Sequence, residues 1–248
     1  MGKPPIIVLR ATGINCEHET AYAWEQAGGA PQIVHVSALI TQPGLLDEFA
    51  ILTIPGGFSY GDDISAGRIL ARRLLQRLAD PLHRFVERGG LILGICNGFQ
   101  VLVEAGLLTA GCDEPCALAF NTSGHYVCRW VTVESTNSPC VMLPAGSRLF
   151  LPMAHAEGRI ALRAGTMVAP ERAAVRYVPG VPRVGPVNPN GSCDDIAGLT
   201  DATGRILGLM PHPERYVRRT QHPFWTAGDV AEEGDGMVIF RSAIGQVA

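Results

Sequence analysis

Alternation between short apolar runs and amphipathic stretches in the first hundred residues narrows the fold more than any other feature. Residues 6–10, 33–36, 50–54 and 91–95 are apolar runs of strand length, and segments of helical spacing separate them. Strands this apolar must be covered on both faces. The pattern therefore predicts an α/β fold, a doubly wound and mostly parallel sheet with helices on both faces. Asn15 is placed to cap a helix reaching about Gln26, with Glu17 and Glu19 in its first turn. A helix is expected over 66–78, and Asp80 with Pro81 supplies the N-cap and first position of another. From Val127 onward the chain changes to alternating strands over 127–134, 173–178, 196–200 and 205–210, which predicts added antiparallel strands. Residues 235–246 close the chain as a helix that turns Met237, Val238, Phe240 and Ile244 inward. With no repeat, linker or low-complexity tract, one domain over 1–248 is expected.

Composition removes several classes of function. Apolar residues make up 47% of the chain and charged ones 17%, enough for a sizeable core. The net charge of −3 leaves no positive excess to neutralise a nucleic-acid backbone. Lys3 is the sole lysine, so a Schiff-base or phosphate-loop lysine deep in the chain is excluded. No phosphate-binding glycine motif is present either, so no cofactor is expected in this chain. Uncharged stretches such as 89–103, which is interrupted by Asn97 and Gln100, do not reach the run of about 18 apolar residues that a membrane span needs. Seven cysteines without a disulfide-framework spacing, and an N-terminus without a secretory signal pattern, point to a reducing cytoplasm. Cys112 and Cys116 lack a second pair at zinc-site spacing, and Asp194-Asp195 reads as a turn; no metal is predicted.

The chemistry concentrates at the ends of two apolar strands. Gly94-Ile95-Cys96-Asn97-Gly98 has the form of a nucleophile elbow, a strained strand-to-helix turn that exposes its central side chain. A thiolate at Cys96 would be stabilised by the helix N-terminus, and the Asn97 N–H would point toward an oxyanion. Met210-Pro211-His212-Pro213-Glu214-Arg215 supplies the matching base: in an extended segment residues 212 and 214 face the same side, so Glu214 can orient His212 toward a thiol. Both motifs lie at strand C-termini, where open α/β sheets place their sites. The triad Cys96-His212-Glu214 follows as the candidate machinery.

Ile54-Pro55-Gly56-Gly57-Phe58-Ser59-Tyr60-Gly61-Asp62, the phrase from Gly94 through Phe99-Gln100, and the His-Pro-Glu segment together resemble the class I glutamine amidotransferases. With His155-Ala156-Glu157-Gly158-Arg159 and Asn188-Pro189-Asn190-Gly191-Ser192 added, the chain is most similar to the glutaminase subunits of phosphoribosylformylglycinamidine synthase. The resemblance spans 6–245, and Ala156 stands where that family often has Gly. It implies a flavodoxin-like sheet and hydrolysis of glutamine to glutamate and ammonia. The ammonia would pass to a synthetase subunit, often with a small bridging subunit, that spends ATP with magnesium on formylglycinamide ribonucleotide in purine synthesis. Gly57 and Asn97 would form the oxyanion hole. Gln100, Asn121, Ser123 and His125 would lie near the glutamine site, and His155, Glu157 and Arg159 would border the ammonia exit or the synthetase interface unless they form a solvated loop. A free-standing γ-glutamyl cysteine hydrolase and a non-catalytic pseudo-glutaminase are the alternatives. The second calls for a missing triad member, and none is missing.

Overall fold

Nine strands form one sheet, the first-half runs in parallel and the second-half strands mostly against them. The computed structural model describes residues 2–62, 64–109, 116–163, 165–180, 185–228 and 230–247; Cys112 lies outside them. The first half contains β1 (Pro5–Arg10), α1 (Glu17–Gln26), β2 (Ala30–His35), α2 (Val36–Thr41), β3 (Ile51–Ile54), α3 (Arg68–Glu87), β4 (Leu91–Ile95) and α4 (Asn97–Glu104). Then follow β5 (Ala117–Phe120), β6 (Val127–Ser135), β7 (Arg148–His155), β8 (Glu157–Ala161), β9 (Ala173–Tyr177), β10 (Ile196–Thr200), β11 (Ile206–Leu209) and α5 (Met237–Val247). The strand order is β2-β1-β3-β4-β11-β10-β9-β6-β7, with β5 and β8 paired apart in a two-stranded ribbon. Five strands run parallel, from β2 to β11, and β10, β9, β6 and β7 extend the sheet antiparallel.

Strand alternation shows how both faces are covered. Thr53 and Ile54 are consecutive on β3 and face opposite sides of the sheet. The Trp24 indole of α1 donates to Thr53 Oγ1 at 2.8 Å and meets Phe240 of α5 edge-on, so α1 and α5 cover one face. Gly98 of α4 lies against the Ile54 carbonyl, and Phe99 against Gly208 of β11, so α4 covers the other. In α3, Leu70, Leu74, Leu78, Leu82 and Phe85 are buried in one stripe.

Three expectations change in detail. Asn15 does not cap α1; Cys16 holds that position without a side-chain bond, and the Asn15 amide oxygen accepts from the Cys16 thiol instead. Pro81 does not open a new helix but lies inside α3. The apolar stripe continues through it in register, and burying Leu82 and Phe85 offsets the lost backbone hydrogen bond. In α5 the fully buried positions are Met237, Ile239, Phe240 and Ala243, while Val238 and Ile244 are only partly covered. The start of that helix lies on the turn after His212, where a side chain at Gly236 would overlap the Pro213 carbonyl. Asp194 and Asp195 form a turn, both with left-handed backbone. Among the described residues no helix is long and apolar enough to cross a membrane.

A side chain at residue 98 would overlap the Ile54 carbonyl. Gly98→Ala should therefore cost roughly 3 kcal/mol by forcing α4 off the sheet, measured as a lower urea midpoint at unchanged slope.

Candidate active site

The strand C-termini of β3, β4 and β11 converge, and each brings one part of the site. Cys96 occupies the turn between β4 and α4 with φ 50° and ψ −103°, a conformation that costs a non-glycine residue about 1–3 kcal/mol. It is fixed by its neighbours. The Cys96 N–H donates to the Leu209 carbonyl at 2.8 Å, tying the turn to β11, and its carbonyl accepts from the Gln100 N–H at 3.1 Å. The thiol points toward the Ala154 carbonyl of β7 at 3.6 Å.

His212 and Glu214 follow β11 and are buried. Their side chains meet at 2.6 Å between Nδ1 and Oε1. They do so through a tight turn rather than strand alternation: His212 is extended and Pro213–Arg215 forms one 3-10 turn, for which the fixed φ of Pro213 is suited. The His212 N–H donates to the Pro152 carbonyl at 2.8 Å, anchoring the segment to β7. Burial alone would push the His212 imidazole down, but Glu214, then Cys96 and Cys16, hold it well above its ordinary value.

Gly57 has φ 146°, and a Cβ there would come within 2.6 Å of the Gly13 carbonyl and 2.7 Å of Ile14 Cα. The loop after β1 lies directly on this segment, with the Asn15 and Cys16 N–H groups both directed at the Gly56 carbonyl. Gly56 in turn backs His212: a Cβ there would stand 2.8 Å from its Cε1. Asn97 is the first residue of α4, so its N–H has no partner within the helix. Its buried side chain accepts from the Ser59 N–H at 3.1 Å and donates to Asp62 at 3.2 Å and to Gln100 Oε1 at 2.9 Å. These bonds, each contributing about 1 kcal/mol, lock the 57–62 loop to the helix start.

The remaining candidates separate into interior and surface residues. Gln100 is buried and donates to the Glu157 carbonyl, joining α4 to β8. Asn121 is buried and donates to the carbonyls of His125 at 3.1 Å and His155 at 2.9 Å. Ser123 and His125 are exposed and hydrogen-bond each other in a surface turn. His155 is not part of a solvated loop: it ends β7, is 3% exposed, and burial followed by the charge of His212 pushes its imidazole down to about 3. Glu157 and Arg159 lie on β8, where the Glu157 carboxylate accepts from the Ala66 N–H at 3.3 Å and Arg159 donates to the Phe120 carbonyl at 2.9 Å.

Sequence reasoning missed Cys16 and Arg215. The Arg215 guanidinium donates to Cys16 Sγ at 3.0 Å, and Cys16 Sγ, a ring nitrogen of His212 and a carboxylate oxygen of Glu214 lie within 4.8 Å of one another. The position of Cys16 just beyond the C-terminus of β1, on the same sheet edge as the other two motifs, was the available signal.

A buried carboxylate orienting an imidazole beside a strained thiol, with backbone N–H groups nearby, is equipped for attack on an amide carbonyl. The comparisons point the same way. Residues 3–245 match the CobB/CobQ-like glutamine amidotransferase domain, and the chain belongs to that family. The chain is 44% identical to the phosphoribosylformylglycinamidine synthase subunit PurQ of Dehalococcoides mccartyi, with 98% of each chain covered. It is 38% identical to the subunit of the same name from Methanococcus maripaludis, over 97% of this chain and 96% of that one. Among solved structures, a chain of PurLQS from Thermotoga maritima superposes with a TM-score of 0.74 at 31% identity, covering 98% of both.

His212 titrates above its ordinary value in the folded chain, so it contributes stability that is fully present below about pH 6.5 and is lost as pH rises through the raised value. Glu214→Gln should flatten this dependence. The checks are urea midpoints from pH 5 to 9 and the NMR titration of His212, which should move down in the variant.

Proposed function

We propose that this chain is the glutaminase subunit of phosphoribosylformylglycinamidine synthase, with Cys96, His212 and Glu214 as its catalytic triad. The observation that carries the triad is the buried 2.6 Å contact between His212 and Glu214 beside the Cys96 elbow. The similarity to PurQ subunits over almost the whole chain supports the choice of product. In this reading Cys96 passes its thiol proton to His212 and its sulfur attacks the side-chain amide carbon of glutamine. The N–H groups of Gly57 and Asn97 hold the oxyanion. His212 gives its proton to the leaving nitrogen, the C–N bond breaks, and ammonia departs from a γ-glutamyl thioester. His212 then takes a proton from water, whose oxygen displaces the thiol and releases glutamate. Glu214 stabilises the imidazolium at each stage.

Ammonia passes to a synthetase subunit, which consumes ATP with magnesium; this chain needs no cofactor or metal for its half of the reaction. The similarity to a chain of PurLQS from Thermotoga maritima supports a synthetase partner and a small bridging subunit. Gln100 and Asn121 border the glutamine pocket from inside, and Ser123 with His125 approach it from the exposed turn. A cytoplasmic location fits purine synthesis and the free thiols.

Cys96→Ala should lower glutamine-dependent amidine formation by at least roughly a thousandfold in the assembled complex and leave ammonium-fed synthesis unchanged. Equal loss with both nitrogen sources would refute the division of labour. Glutamine or γ-glutamyl peptide hydrolysis by the chain with no gain in synthesis would favour a free-standing hydrolase.

A further inference from the structure

Cys16 is fully buried at the start of α1. Nothing in the triad reading uses it, yet it is closely held. Its N–H is directed at the Gly56 carbonyl at 3.3 Å, and its carbonyl accepts from Thr20 Oγ1 at 2.6 Å. Its thiol donates to Asn15 Oδ1 at 3.3 Å, while the Arg215 guanidinium donates to the sulfur at 3.0 Å. Its sulfur lies within 4.8 Å of a ring nitrogen of His212 and a carboxylate oxygen of Glu214. Gly56 leaves room for this approach, because a Cβ there would come within 2.8 Å of His212 Cε1 and 3.2 Å of Cys16 Sγ.

We propose that Cys16 is a positioning residue for His212: its thiol, fixed by Asn15 and Arg215, presents sulfur lone pairs to the imidazole and stabilises the ring while it carries the proton. The proposal rests on the triad reading given above. With its S–H committed to Asn15, Cys16 faces the ring as an acceptor. Burial pushes the Cys16 thiol up, which keeps it protonated and neutral. The groups bearing on the ring are Glu214 from its own turn, Cys96 from the elbow and Cys16 from the loop after β1. Arg215 acts through Cys16 and Glu214, and His155 at the end of β7 and the exposed Tyr126 feel the charge of the ring. Cys16 stands among the contributions that hold His212 up, so its removal lets the ring release its proton at lower pH.

The test is the pH dependence of glutamine hydrolysis by the assembled synthase carrying Cys16→Ala, Cys16→Val or Cys16→Ser. The two apolar variants should lower kcat roughly tenfold with the KM for glutamine within about twofold. Their alkaline limb, where His212 loses its proton, should move down by about half a unit while the acid limb stays in place. Cys16→Ser, whose hydroxyl still accepts, should keep both limbs and most of kcat. A loss of kcat with an unmoved alkaline limb, or an equal loss in all three variants, would reduce Cys16 to a packing residue and overturn the proposal. If the apolar variants do not fold, Cys16→Ser decides alone, since a downward shift of its alkaline limb contradicts an acceptor role. The unsubstituted synthase and Cys96→Ala are run alongside. Absence of glutaminase activity in the former, or its persistence in the latter, would overturn the triad reading instead.

Discussion

The turn at Cys96 is the constraint on which the rest of the site depends. A non-glycine residue held at φ 50° and ψ −103° relaxes unless its surroundings fix it. Here the restraint comes from close backbone packing: Gly98 against the Ile54 carbonyl, Gly94 against Gly98, and the Cys96 N–H on the Leu209 carbonyl. These contacts join β3, β4, β11 and α4 at one point. The same approach that strains the turn seats α4 on the sheet, so fold stability and the orientation of the buried thiol have a common origin.

Around that point the site is braced from two sides. Asn97 and Gln100 tie the helix start to the 57–62 loop and to β8. From the other side the 13–16 loop presses on Gly56 and Gly57 and brings Cys16 up to His212. Arg215 spans both, contacting Cys16 and approaching Glu214 and Glu19. A buried carboxylate and a buried imidazole each carry a desolvation penalty, offset here because they face each other at 2.6 Å.

Legibility in the sequence followed the range of the interaction. The parallel strands, the elbow and the His-Pro-Glu segment were readable because each is a local pattern of apolar runs, glycines and prolines. The geometry of the last was misjudged: Pro213 starts a 3-10 turn, and it is the turn that brings Glu214 to His212. Pro81 also carried a local signal, which the long apolar stripe of α3 overrode. The ribbon of β5 and β8 has no strong alternation, and His155, polar in sequence, is buried because β7 leads directly into that ribbon over the site.

By itself, the sequence determined the α/β class, the strained turn at Cys96 and the pairing of His212 with Glu214, because these depend on residues within a few positions of each other. Tertiary structure alone decided that Cys16 reaches His212, that Arg215 contacts a thiol 199 positions away in the chain, and that His155 is cut off from water. Those facts follow from which strand ends converge at the sheet edge. Convergence is set by the long-range order β1-β3-β4-β11, and no local pattern encodes it.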